Sequence, residues 1–66
     1  MISSHVPYLY IGVRDPRVLS LREILNVTGD DVFDTSLSVM VRGFQKLHGI
    51  DPHGDVDEET GLALGM

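Results

Sequence analysis

The chain has 66 residues, no cysteine, and ten acidic against five basic side chains, for a formal charge of −5. That length permits one domain that buries only about 60% of the surface its unfolded chain exposes, and it must do so without disulfides or a Cys-based zinc site. The acidic balance argues against a nucleic-acid backbone as partner, and no apolar run is long enough to span a bilayer or framed like a secretory leader.

Residues 1 to 14 read as an extended apolar arm. His5-Val6-Pro7-Tyr8-Leu9-Tyr10-Ile11-Gly12 is rich in β-branched and aromatic residues, carries a Pro and has no helical period. Asp15-Pro16 then opens a helix, with Asp accepting from free first-turn amides and Pro pre-setting φ. Val18, Leu21, Ile24 and Leu25 follow at helical spacing, and the helix is expected to stop near Asn26.

A loop holding Thr28-Gly29-Asp30-Asp31 leads to Val32-Phe33, and Asp34 is placed to cap a second helix. Leu37, Val41, Phe44 and Leu47 form its stripe and Gly49 its end. Gly43 inside this helix costs about 1 kcal/mol relative to Ala, which predicts a close neighbouring backbone or a partner there. After the turn Ile50-Asp51-Pro52-His53-Gly54, Asp57-Glu58-Glu59 starts a short third helix with an acidic first turn that suits its dipole, ending at Gly65.

The same pattern occurs twice, 23 residues apart: Val18 to Val27 overlays Val41 to Ile50, and Asp34 falls on Asp57. A unit that short cannot bury its apolar face alone, so the two copies must share one core. The expected fold is all-α, a compact three-helix bundle over residues 15 to 66 with the arm before it. Its expected core is Leu21, Ile24, Val32, Phe33, Leu37, Val41, Phe44, Leu47, Ile50, Val56, Leu62 and Leu64.

These residues resemble the peptidoglycan-binding domain family of small three-helix modules. Leu9 and Gly12 match its arm, and Val18, Leu21 and Leu25 its first helix. Phe33 matches its turn, Val41-x-x-Phe44-Gln45 its second helix, and Gly49-Ile50, Gly54, Val56, Thr60 and Leu64 its closing segment. Arg22 stands where the family has Gln, Asp31, Asp34 and Asp57 where Gly is usual, Leu37 for a Thr, and His53 for the Asp before Gly54. The apolar positions are kept and the polar turn positions have changed, so the resemblance implies the scaffold more directly than the cell-wall binding that names the family.

Asp51, His53, Asp55 and Asp57 alternate as calcium ligands can, but Gly54 is misplaced for the sharp bend and no carboxylate holds the bidentate position. A solvated acidic turn, with Asp57 as helix cap, accounts for them, and no metal or cofactor is expected. No Gly-x-Ser-x-Gly is present, nothing in the sequence sets a Ser beside a His and an orienting acid, and so small a domain lacks walls for a water-excluding cleft. The chain is expected not to be an enzyme.

Gln45, the family's Gln by position, reads equally as a ligand contact or as a group satisfying a loop backbone. Tyr10, Arg14, Arg42, His48 and His53 complete the candidate ligand surface, each offering hydrogen bonds or a ring for a sugar or stem peptide. Ile2, Val6, Tyr8, Leu9, Tyr10 and Ile11 are too apolar for a free tail and too many for the core, so the arm is expected to dock on another chain.

Two functions follow. The first is a non-catalytic virion-associated protein, a minor capsid or decoration protein of a bacteriophage with a peptidoglycan-binding-like fold. It would be held by neighbouring protein chains through its arm, could also contact peptidoglycan of the bacterial cell wall, and would be assembled in the host cytoplasm, with no fused enzyme and no leader needed. The second is a plain peptidoglycan-binding module of a cell-wall lytic system, working at the wall after delivery by another factor. Neither involves nucleic acid or a membrane.

Overall fold

Asp15, Asp34 and Asp57 each stand one residue before a helix, and each carboxylate accepts from an amide of the first turn. Arg17 N–H reaches Asp15 at 2.8 Å, Leu37 N–H reaches Asp34 at 2.8 Å and Thr60 N–H reaches Asp57 at 2.9 Å. The helices that follow are α1 (Pro16–Ile24), α2 (Thr35–Leu47) and α3 (Glu58–Leu64), in a computed structural model that describes residues 6–66. Each cap satisfies one of the amides a helix leaves unpaired at its start, worth about 1 kcal/mol apiece.

The three helices also end alike. Asn26, Gly49 and Gly65 take left-handed φ values of 60°, 68° and 83°. The next amide then bonds back five residues, Val27 to Arg22 O, Ile50 to Gln45 O and Met66 to Gly61 O, at 2.8 to 2.9 Å. This closure turns the chain sharply off each helix and satisfies its last carbonyls. The expected ends at Asn26, Gly49 and Gly65 therefore hold.

Among the described residues there is no strand, only two isolated antiparallel bridges, Leu9 with Val56 and Arg14 with Val32. Both involve the arm. Val56 N–H donates to Leu9 O at 2.8 Å, and Phe33 N–H donates to Val13 O at 2.8 Å. Phe33 and Val56 are equivalent positions of the 23-residue repeat, so the arm lies across both copies and pairs with the same point of each. Leu9 is consequently core, not tail, and its burial contributes on the order of 2 kcal/mol. Tyr8, Leu9 and Val13 of the arm pack in or on the core of the three helices.

The buried apolar cluster is Leu9, Val18, Leu21, Phe33, Leu37, Val41, Val56 and Leu64, with Tyr8, Val13, Leu25, Val27, Phe44 and Met66 packed on its edge. Ile50 is buried as well. Four expected members lie elsewhere: Ile24, Leu47 and Leu62 are exposed, Leu47 by 86%, and Val32 is only half-buried. Leu47 extends the stripe of α2 by one residue past the turn where the helix leaves the core. Gly43 has open space where a Cβ would stand, so no backbone approaches it. Close approaches occur instead at Gly29, Gly54 and Gly61, where a Cβ would collide with Arg22, Ser38 and the Tyr8 hydroxyl respectively.

Candidate functional site

Of the candidate ligand residues, Gln45 is the one the sequence leaves undecided, and the structure places it fully inside the molecule at 0% exposure. Its side-chain carbonyl accepts from Gly54 N–H at 2.9 Å. Its amide donates to Asp55 O at 2.9 Å and to the Thr60 hydroxyl at 3.0 Å. These bonds hold the loop before α3, leaving the amide nothing to offer a ligand from outside. Of the two readings open for Gln45, the structure shows the second, a group that satisfies the loop backbone, and Gln45 leaves the candidate ligand surface.

His53 sits half-buried over the same loop. Asp55 N–H points at Nδ1, 3.1 Å away, which places the ring hydrogen on Nε2, where it faces Asp57 Oδ2 at 3.1 Å. Both ring nitrogens are thus engaged within the chain, so His53 has none left to serve as a base for a bound substrate. His48 is exposed, but its ring stacks on Phe44 one helical turn away, with centroids 4.1 Å apart. Arg14 is exposed and lies 3.8 Å from Asp31, and Arg42 is exposed on α2. Gln45 and His53 meet at the loop before α3, with Gln45 Nε2 3.5 Å from His53 Nδ1, but the six candidates do not form one surface: Tyr10 and Arg14 lie on the arm, Arg42 is exposed on α2 and His48 at its end.

Tyr10 is the exception that lines a hollow. With Val6, Pro7, Ile11 and Asp55 it bounds an open depression of about 450 Å³. Val6, Tyr10 and Ile11 are 73%, 47% and 53% exposed, on either side of the buried Leu9. The arm therefore turns one set of residues into the core and presents the other as a preformed apolar patch. Of the expected docking residues, Leu9 is corrected to core and Tyr8 packs on the core edge; Ile2 lies outside the described residues. Asp55 stands at the rim of the hollow, a place the sequence gives only as part of an acidic turn, because it lies 45 residues from Tyr10 and only the Leu9–Val56 pairing brings it there.

A second hollow of about 470 Å³ is lined by Tyr8, Arg17, Ser20, Ile24, Gly65 and Met66. Its cation is already committed: Arg17 makes two hydrogen bonds to the Asp15 carboxylate, at 3.0 and 2.9 Å, and lies 5.0 Å over the Tyr8 ring. Those Arg17 hydrogen bonds hold the Asp15 carboxyl down at about 2. Asp34 is also lowered, first by the Leu37 amide and further by Arg22.

No group of three or more His, Asp or Glu side chains that could hold a metal occurs among the described residues, and no helix among them is long and apolar enough to cross a membrane. Comparison with family models, curated proteins and solved structures finds no match to this chain.

Proposed function

We propose that this chain is a non-catalytic docking protein of a larger assembly, seated on a neighbouring chain through the apolar patch of its arm. The observation that carries this reading is the exposure of Val6, Tyr10 and Ile11 on a segment that Leu9 anchors rigidly in the core. A patch fixed in advance loses little conformational entropy on binding, and exposed aromatic and aliphatic residues beside a hollow are what a protein partner can bury.

The assembly class is a bacteriophage particle, with the chain a minor capsid or decoration protein on a peptidoglycan-binding-like scaffold. Support comes from the pattern of the resemblance: the apolar positions are kept, while the family's Gln is turned inward at position 45 and its polar turn positions have changed. A photo-crosslinking residue at position 11, irradiated in purified particles, is expected to give one discrete adduct with a particle protein, and none when placed at Glu23. Particles that contain the chain but yield no adduct at position 11 would overturn the reading.

One observation favours the wall-binding alternative. Tyr10 offers a ring face and Asp55 a carboxylate acceptor on the same open hollow, a pairing that suits a sugar. Saturable sedimentation with insoluble peptidoglycan, lost in Tyr10→Ala and Asp55→Asn, would establish that alternative in place of docking.

A further inference from the structure

Five Lys and Arg side chains occur in the chain, and three are committed internally. Arg14 lies near Asp31, Arg17 is held by Asp15, and Arg22 is buried against its loop. Among the described residues Arg42 and Lys46 have no carboxylate within 4 Å, and both stand exposed on α2, a helix without a single acidic residue. On the helical wheel they border one side of Val39, Gly43 and Leu47, successive positions four apart on one exposed stripe, with Met40 on its other side. Gly43, with open space where a Cβ would stand, leaves a gap between Val39 and Leu47 on this stripe.

α3 carries the opposite character. It buries Thr60, Gly61 and Leu64 and exposes Glu58, Glu59, Leu62 and Ala63, an apolar strip with two carboxylates and no cation. Glu58 and Glu59 have no basic partner within 4 Å among the described residues. One molecule thus presents a basic apolar helix face and an acidic apolar one, each unmatched among the described residues.

We propose that these two faces match each other between copies, the α2 face of one molecule packing against the α3 face of a second copy of the same chain. Leu47 and Leu62, both mostly exposed, supply the apolar centre, and Arg42 and Lys46 meet Glu58 and Glu59 at its rim. The contact is between unlike surfaces, so it either closes a symmetric pair that uses it twice or runs head to tail. It uses none of the residues of the arm patch and does not depend on it. An anionic membrane would also attract a basic apolar helix, but the net charge of −5 opposes that approach.

The test is sedimentation equilibrium of the full chain from about 10 μM to about 1 mM, the range in which weak interfaces populate. The wild type is expected to exceed the monomer mass as concentration rises. R42E/K46E and E58K/E59K are each expected to weaken association about tenfold or more, and an equimolar mixture of the two to restore it, because each variant then meets its complement. Leu47→Asp, at a position 86% exposed, is expected to abolish association with helicity unchanged. A wild type monomeric throughout, a mixture that fails to restore association between folded variants, or a Leu47→Asp variant that associates normally would each overturn the proposal. So would a monomer that binds phosphatidylglycerol vesicles through Arg42 and Lys46.

Discussion

Arg22 and Gln45 occupy the same place in the two copies of the repeat and hold the same carbonyl. Arg22 Nη2 donates to Val32 O at 2.8 Å and Gln45 Nε2 donates to Asp55 O at 2.9 Å, and both donors and both acceptors are 23 residues apart. Around them the equivalence extends to the loop. Val32 N–H bonds the Asp30 carboxylate as Asp55 N–H bonds the His53 ring, at 3.1 Å in both cases. The outer oxygen of the cap is met by Arg22 on Asp34 at 3.4 Å and by His53 on Asp57 at 3.1 Å. The donor to that oxygen comes from the helix in the first copy and from the loop in the second.

Gln45→Ala leaves the Gly54 amide, the Asp55 carbonyl and the Thr60 hydroxyl without their partner in a buried setting. The expected cost is about 3 kcal/mol, a large part of what so small a domain has. Arg42→Ala, three residues away and exposed, should stay within about 0.5 kcal/mol of wild type. Urea denaturation followed by circular dichroism measures both, and equal effects would contradict the internal role of Gln45.

The two loop designs should be exchangeable. Arg22→Gln alone removes the group facing the outer oxygen of Asp34, and adding Asp30→His supplies one from the loop, as His53 does for Asp57. A double-mutant cycle is expected to show a favourable coupling of about 0.5 to 1 kcal/mol, whereas simple additivity would mean that the correspondence is geometric only.

Acid should weaken the starts of the first two helices. The folded Asp15 carboxyl is lowered from 3.8 to about 2 and Asp34 is lowered as well, so both stabilise the fold fully above about pH 4. That contribution is lost as pH falls through the folded values. Asp15→Asn keeps an acceptor for the Arg17 amide but cannot titrate, so its melting temperature should fall less than that of wild type between pH 4 and pH 2. Parallel pH profiles would contradict this assignment.

Two glycines should respond oppositely to alanine. Gly43 lies inside α2 with open space around it, and Gly43→Ala should stabilise by about 1 kcal/mol. Gly54 has a φ of +88°, and a Cβ there would come within 2.5 Å of Ser38 Oγ, the hydroxyl that donates to Gly54 O at 3.0 Å. Gly54→Ala should therefore destabilise by more than about 1 kcal/mol. Thermal melts of the two variants check the signs.

The three caps, the helix ends and the repeat could all be read from the sequence because each depends on residues within a few positions. The apolar contribution of Leu9 could not, since its partner Val56 is 47 residues away and no local period marks it. Leu47 and Leu62 continue helical stripes past the point where tertiary packing ends, and spacing alone cannot show where the core stops. The candidate site divides the same way. Gln45 stands out as a polar residue on an apolar helix, but whether it faces inward is decided by the loop at Gly54 and Asp55. Tyr10 was legible as an exposed aromatic, while the hollow it shares with Asp55 exists only in the folded chain.

The most direct measurement is incorporation of the triple variant Val6→Ser, Tyr10→Ser, Ile11→Ser into purified particles, scored against wild type after both are shown to be folded. All three side chains are largely outside the core, so helicity should be retained and the melting temperature should change little. The expected result is a folded protein absent from the particle. Incorporation at the wild-type level would contradict docking through the arm.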